Sequence, residues 1–84
     1  MFYVYAIYNK SHDKIYIGQT NNLKKRIYEH NDHNNKTHNF TKRFSGSWKL
    51  IYQEKFLTRE EAKVREKQLK SYQGRQYLKK FIPR

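Results

Sequence analysis

The sequence contains no cysteine. Disulfides and thiolate metal sites are therefore excluded, and a reducing compartment, the cytoplasm, is expected. Long apolar runs are missing too, so no segment is expected to cross a membrane. The first residues, MFYVYAIYNK, carry no charged leader region and no small-residue cleavage site, and they read as structure rather than as a signal peptide. Internal repeats, low-complexity tracts and linkers are absent. The 84 residues are expected to form a single domain over 1–84. A chain of this size buries only about 60–65% of its unfolded surface, so its core is small.

Acidic residues are scarce. Seven Asp and Glu stand against nineteen Lys and Arg, a net charge of +12. Such a field attracts polyanions. Nucleic acid is the leading partner, because Lys and Arg contacts to phosphate supply most sequence-independent affinity. An anionic membrane surface is the rival, but no segment joins a large apolar face to a basic one over about 20 residues. Aromatics make up 17% of the chain, with eight tyrosines, which argues for a folded domain.

FYVYAIY at 2–8 is aromatic and β-branched and predicts a strand. Phe2, Val4 and Ala6 would face one way, Tyr3, Tyr5 and Ile7 the other. The turn-rich NKSHD at 9–13 and the run KIYIGQ at 14–19 predict an antiparallel hairpin. Asn21 or Asn22 can cap a helix over about 22–32, with Leu23 and Ile27 as its narrow apolar stripe. A polar loop covers 33–37, and a short basic helix is expected over about 38–43. Gly46 breaks the chain before a third strand, WKLIYQE at 48–54. Thr58 and Glu61 form a capping box that starts a helix over about 59–72. Gly74 is expected to break it, and Tyr77, Leu78, Phe81 and Ile82 give a last apolar face before Pro83. The order β-β-α-(α)-β-α-α predicts a small α/β (α+β) domain, helices packed on a short sheet.

Several side chains invite a chemical reading beside an ordinary one. Arg26 and His30 lie four apart on one helix line that borders the Leu23/Ile27 stripe, which places them half-desolvated at the rim of the core. They suit phosphate binding and proton traffic, or belong to a solvated basic face. Glu66 shares a side with Ala62, Arg65, Leu69 and Tyr72. It could hold a divalent ion, which prefers hard oxygen ligands, or simply pair with Lys70. Tyr5 and Tyr16 could face one another across the hairpin. His30, His33 and His38 could be drawn into a zinc site, but no third ligand stands at a fixed spacing and no Cys is present. His12 falls in a turn and is expected to be exposed. HNFTKRFSGSW at 38–48 interleaves basic and aromatic residues. There Lys42 and Arg43 would meet phosphates while Phe40 and Phe44 anchor the segment.

These pieces together resemble the GIY-YIG nuclease superfamily. YVY at 3–5, YIG at 16–18, then Leu23, Arg26 and His30, and finally TREEAKVREKQLK at 58–70 follow the order of its small single-domain members. The resemblance covers nearly the whole chain. It implies a three-stranded antiparallel sheet flanked by helices, and hydrolysis of phosphodiesters in nucleic acid, DNA more often than RNA, with one Mg²⁺ or Mn²⁺. Relatives include a nuclease subunit of bacterial excision repair, homing endonucleases and restriction enzymes. Carried over by position, Tyr5 and Tyr16 would be the motif tyrosines: one of them, Tyr5 before Tyr16, would help to deprotonate the attacking water, and the other would orient water or phosphate. Gly18 would let the backbone turn tightly. Arg26 would hold the scissile phosphate, His30 would transfer a proton or bind phosphate, and Glu66 would be the sole protein ligand of the metal. Lys24 and Lys25 would guide phosphates. The resemblance brings no separate DNA-recognition domain, so specificity would come from DNA structure or from a partner, or be absent.

Two positions depart from the family pattern. Tyr3 replaces the usual Gly, and no Asn follows Glu66, leaving Gln68, Gln73 or Gln76 as the available amides. The second departure keeps open an alternative, a non-catalytic nucleic-acid-binding module on the same fold.

Overall fold

The computed structural model describes residues 1–32 and 39–83, with the backbone alone at 39 and 42. The aromatic and β-branched run at the start forms β1 (Phe2–Asn9), and Lys14–Thr20 returns beside it as β2. Buried Asn9 holds the turn between them. Its Oδ1 accepts from the His12 amide at 3.1 Å, and its Nδ2 donates to the Ser45 carbonyl at 3.0 Å, tying the hairpin to a distant loop. Asp13 adopts the left-handed conformation there, φ 52°, as Asp tolerates in turns. Trp48–Phe56 forms β3, and the sheet is antiparallel in the order β2-β1-β3. β1 is thus the central strand, an arrangement that the sequence pattern alone left open. Opposite β3 its register shifts between Ala6 and Ile7, an irregularity of the bulge kind.

The period-two pattern of β1 gives the sheet two apolar faces, as expected. Val4, Ala6 and Ile17 bury on one face with Ala62 and Leu69 of α3 (Arg59–Lys70) and Leu78 of α4 (Tyr72–Leu78). Tyr5, Ile7 and Trp48 bury on the other, against Leu23 and Ile27 of α1 (Leu23–Asn31) and against Phe44. Full burial of one Leu such as Leu69 is worth about 2 kcal/mol, so these two thin clusters supply the main stabilisation of a small sheet. A short helix, α2 (Asn39–Lys42), precedes β3, and a 3-10 turn at Lys79–Phe81 follows α4. Residue 38 and the predicted loop at 33–37 lie outside the described residues.

The caps follow the sequence closely. Asn22, rather than Asn21, caps α1 by accepting from the Lys25 amide at 3.1 Å. Thr58 and Glu61 form the expected reciprocal capping box on α3. At the other end of α1 the Asn31 side chain accepts from the Trp48 amide at 2.7 Å and donates to the Trp48 carbonyl at 3.0 Å. That clamp fixes the start of β3 against the helix carrying Arg26 and His30.

Two expectations about the last helices are corrected. The break after α3 falls at Ser71, whose hydroxyl accepts from the Gly74 amide at 3.1 Å and so caps α4. Gly74 lies inside α4 instead of ending a helix. A Cβ there would meet the Gln68 carbonyl oxygen at 2.4 Å and the Leu69 Cα at 2.5 Å, so glycine is what allows α4 to fold back so closely on α3. Tyr72 does not join the buried side of α3; with α3 already ended, it is 78% exposed.

Candidate active site

Tyr5 sits on the central strand and is fully buried, whereas Tyr16 on the edge strand is half-buried. They are not direct partners: Tyr5 pairs with Gly18 and Tyr16 with Ile7. The two rings meet diagonally, with centroids 6.3 Å apart. Gly18 lies inside β2 with no positive φ, so the expected tight turn is replaced by a steric role. A Cβ at residue 18 would stand 2.8 Å from the Tyr5 hydroxyl and 3.1 Å from the Tyr16 ring. Glycine leaves the room in which the first phenol lies.

His30 projects from the last turn of α1 onto that phenol. Its Nε2 is 2.7 Å from the Tyr5 hydroxyl, its Nδ1 is 3.0 Å from Thr41 Oγ1, and its ring centroid is 4.8 Å from that of Tyr16. The rim placement expected for His30 is therefore corrected. It is 2% exposed, because the α2 segment carrying Thr41 closes over it. Thr41 is itself buried, and its carbonyl accepts from the Trp48 indole at 3.3 Å. Burial pushes the Tyr5 pKa well above its ordinary value, with Tyr16 and then Glu66 adding to the rise and the Arg26 guanidinium opposing it. A phenol that keeps its proton donates it, so Nε2 is the acceptor. Nδ1 then carries the imidazole proton and donates to Thr41, which selects one tautomer.

Arg26, one turn before His30, is partly exposed, and its Nε lies 3.4 Å from Glu29 on the same helix. Its influence on the Tyr5 phenol places a cation beside the buried pair. The Glu66 carboxylate on α3 also acts on Tyr5 through its charge, the smallest of the influences on that phenol. The Glu66 side chain is 18% exposed and pairs with Lys70 at 2.7 Å. The neighbouring Arg65 turns elsewhere, to Glu54 at 2.9 Å, to Tyr52 and to Gln68. Tyr5, Tyr16 and His30 thus meet from β1, β2 and α1, while Arg26 on α1 and Glu66 on α3 act on the Tyr5 phenol through their charges.

The predicted phosphate guides are more dispersed. Lys24 and Lys25 are exposed on α1, and Arg43 is exposed beyond α2. The side chain of Lys42, and His33 and His38, lie outside the described residues. His12 is exposed, as expected, with its ring nitrogen 3.3 Å from Ser45 Oγ. Phe40 and Phe44 do anchor their segment: each packs on the other at 5.5 Å and on Trp48, and Phe40 also touches Tyr16 at 5.6 Å. Gln73 and Gln76 are exposed on α4, and Gln68 accepts from Arg65 at 3.2 Å.

Among the described residues no group of three or more His, Cys, Asp or Glu is placed to hold a metal. An ion at Glu66 would be held in the manner common for Mg²⁺, by one carboxylate with water and substrate oxygens completing the shell. The donor chemistry suits that mode. Glu66 is a hard, half-buried carboxylate whose present cation is an ammonium, and Lys70 is 48% exposed and so free to swing into solvent. Sequence reasoning missed Thr41, which no spacing rule connects to a histidine eleven residues earlier, and Asn31, whose clamp to Trp48 spans seventeen residues.

A family model described as the GIY-YIG catalytic domain matches residues 1–79. No curated protein and no solved structure matches the chain. Among the described residues no helix is long and apolar enough to cross a membrane.

Proposed function

The chain belongs to the GIY-YIG catalytic domain family, and from that membership we propose that it is an endonuclease cutting DNA with one Mg²⁺ or Mn²⁺ at Glu66. The family carries nuclease activity, and a nuclease takes nucleic acid as its substrate. The observation that supports the finer reading is the convergence of Tyr5, Tyr16, Arg26, His30 and Glu66 from four separate elements. Packing alone gives no reason to bury a phenol against an imidazole with a second phenol beside them and a guanidinium and a carboxylate acting on them from the rim. DNA is preferred to RNA by analogy with the relatives of this family. Selectivity for branched or flapped forms suits a basic surface that reads phosphate positions more than base edges.

In the proposed reaction, water attacks phosphorus and a new P–O bond forms as the ester P–O bond breaks. Arg26 leaves Glu29 and the Tyr5 phenol to grip the phosphate, offering two parallel donors to the charge that develops there. Its departure opens the Tyr5 hydroxyl to the attacking water. Tyr5 takes the water's proton while handing its own to His30 Nε2, so no free phenolate need accumulate despite the raised pKa. Thr41 accepts from Nδ1–H throughout and keeps Nε2 aimed at the phenol. Tyr16, half-buried, orients water or phosphate; solvent gives a proton to the leaving alkoxide, and His30 returns its proton through Tyr5 to solvent, which restores the resting state. Glu66, released by Lys70, would hold the divalent ion, which when bound would supply charge neutralisation and polarise the phosphate. His30 is in this account a partner of Tyr5, since its Nε2 is held by the phenol and its Nδ1 by Thr41.

The test is incubation with branched, flapped and plain DNA, and with RNA of the same forms, in Mg²⁺ or Mn²⁺. Cutting of DNA, fastest on branched forms, is the expected result. Two observations favour the second reading, a non-catalytic binding module: Glu66 is held by Lys70 and Tyr5 is covered. Binding of all these substrates with no cutting of any would establish that reading instead.

A further inference from the structure

At the hairpin end of the sheet lies a groove of about 730 Å³ that shares only Phe40 with the surroundings of the site described above. It is lined by Lys14 from β2, Arg75 from α4 and Lys79 from the 3-10 turn, with the rings of Tyr8 and Phe40 among the walls. Asp13 is the acid in the lining, and it accepts from the Tyr8 hydroxyl at 2.8 Å. No carboxylate lies within ion-pair distance of Lys14, Arg75 or Lys79 among the described residues. Arg75 spends its Nε on the Lys70 carbonyl, which fixes the fork while leaving its outer nitrogens uncommitted to any acid. Lys14 rests over the Phe44 ring, 5.6 Å from its centroid.

The groove is physically joined to the candidate active site. Phe40 is 39% exposed, and its ring packs 5.6 Å from Tyr16. One aromatic ring therefore looks into the groove and touches the site. Three cations from three elements, with no acid partner among the described residues, beside an exposed ring match the needs of an unpaired nucleic-acid strand: phosphates along one side and a base face on the other. A duplex would present its phosphates but not a free base face.

We propose that this groove is a second subsite, which holds the backbone of a single strand next to the scissile phosphate and stacks one base on Phe40. The proposal rests on the nucleic-acid reading above. It gives that reading a substrate class: a junction or flap in which the strand leaving the site is unpaired.

The test is fluorescence anisotropy with a labelled single-stranded DNA and with the same sequence as duplex, in EDTA so that no cutting occurs. The proteins are wild type, Arg75→Glu/Lys79→Glu, Phe40→Leu, and Lys55→Glu/Lys63→Glu, whose exposed lysines lie outside the groove and carry the same charge change. Circular dichroism and melting confirm that each variant folds. The groove pair is expected to weaken single-strand binding at least tenfold more than the control pair. It should also flatten the slope of log K against log salt by about 1.4. Phe40→Leu should weaken single-strand binding about tenfold and leave the duplex unchanged. If wild type binds but both charge pairs weaken it equally, or Phe40→Leu changes nothing, the subsite is overturned and the nuclease reading stands. If wild type binds neither DNA, the nucleic-acid reading falls, and the subsite with it.

Discussion

The Tyr5 hydroxyl lies 2.7 Å from His30 Nε2, in the interior of the protein and not on its surface. The pair makes a donor and an acceptor that satisfy one another, backed by Thr41 on the far nitrogen. The same contact organises the core and supplies a route for a proton.

Residues that act as one relay lose function together. Tyr5→Phe and His30→Gln are each expected to lower the single-turnover cleavage rate by about 10²–10⁴. The double variant should be no more than a few-fold slower than the worse single variant. Multiplying losses, or full activity in His30→Gln, would remove the relay from the mechanism. Tyr5→Phe also leaves a buried nitrogen without its partner, at a cost of about 1–3 kcal/mol in urea denaturation.

Thr41 should act only through His30. Thr41→Val keeps the shape and removes the acceptor for Nδ1–H. The expected result is a lower maximal rate with little change in DNA affinity measured in EDTA, and Thr41→Ser should restore the rate. A loss of affinity that matches the loss of rate would assign Thr41 to the binding surface instead.

The raised pKa of Tyr5 makes a prediction about alkaline stability. In the unfolded chain this phenol ionises near its ordinary value of 10.0, while burial makes the folded protein keep the proton. Above pH 10 the unfolded state therefore holds fewer protons, and stability falls as pH climbs toward the folded pKa. The stabilisation is fully present below the ordinary value. The slope from this group is at most about 1.4 kcal/mol per pH unit. Tyr5→Phe should show a shallower fall between pH 10 and 11.5 in urea titrations, because Tyr8 and Tyr52, whose pKa values are also raised, act equally in both proteins. Parallel curves would contradict the burial of an ionisable phenol.

Gly18→Ala places a methyl carbon 2.8 Å from the Tyr5 hydroxyl, which is tethered to His30 and cannot simply rotate away. A loss of about 1–3 kcal/mol is expected, together with a fall in cleavage rate larger than the loss of folded protein explains. Unchanged melting temperature and rate would mean that the phenol has room to spare.

Much of this arrangement is legible in the sequence, and the reasons are local. Val4 and Ala6 against Tyr5 and Ile7 show the two faces of β1 because strand side chains alternate. Thr58 and Glu61 mark the start of α3 because a capping box is a three-residue spacing. Glu66 and Lys70 are recognisable as a pair for the same kind of reason. What the sequence hides is set by contacts between distant segments. The burial of His30 depends on Thr41 folding over it, and helical periodicity can say only that His30 borders an apolar stripe. Gly74 resembles a helix breaker until the approach of α4 to Gln68 and Leu69 is seen. The convergence on Tyr5 joins residues more than sixty positions apart, and the family pattern, not spacing, anticipates it.

The most direct test of the central claim is single-turnover cleavage of flapped DNA in Mg²⁺ by wild type and Glu66→Ala, with affinity measured in parallel in EDTA. The two proteins should bind the DNA with matching affinity and salt dependence, and only wild type should cut. Equal cutting by Glu66→Ala, or binding by both with no cutting by either, would contradict a nuclease site built on Glu66.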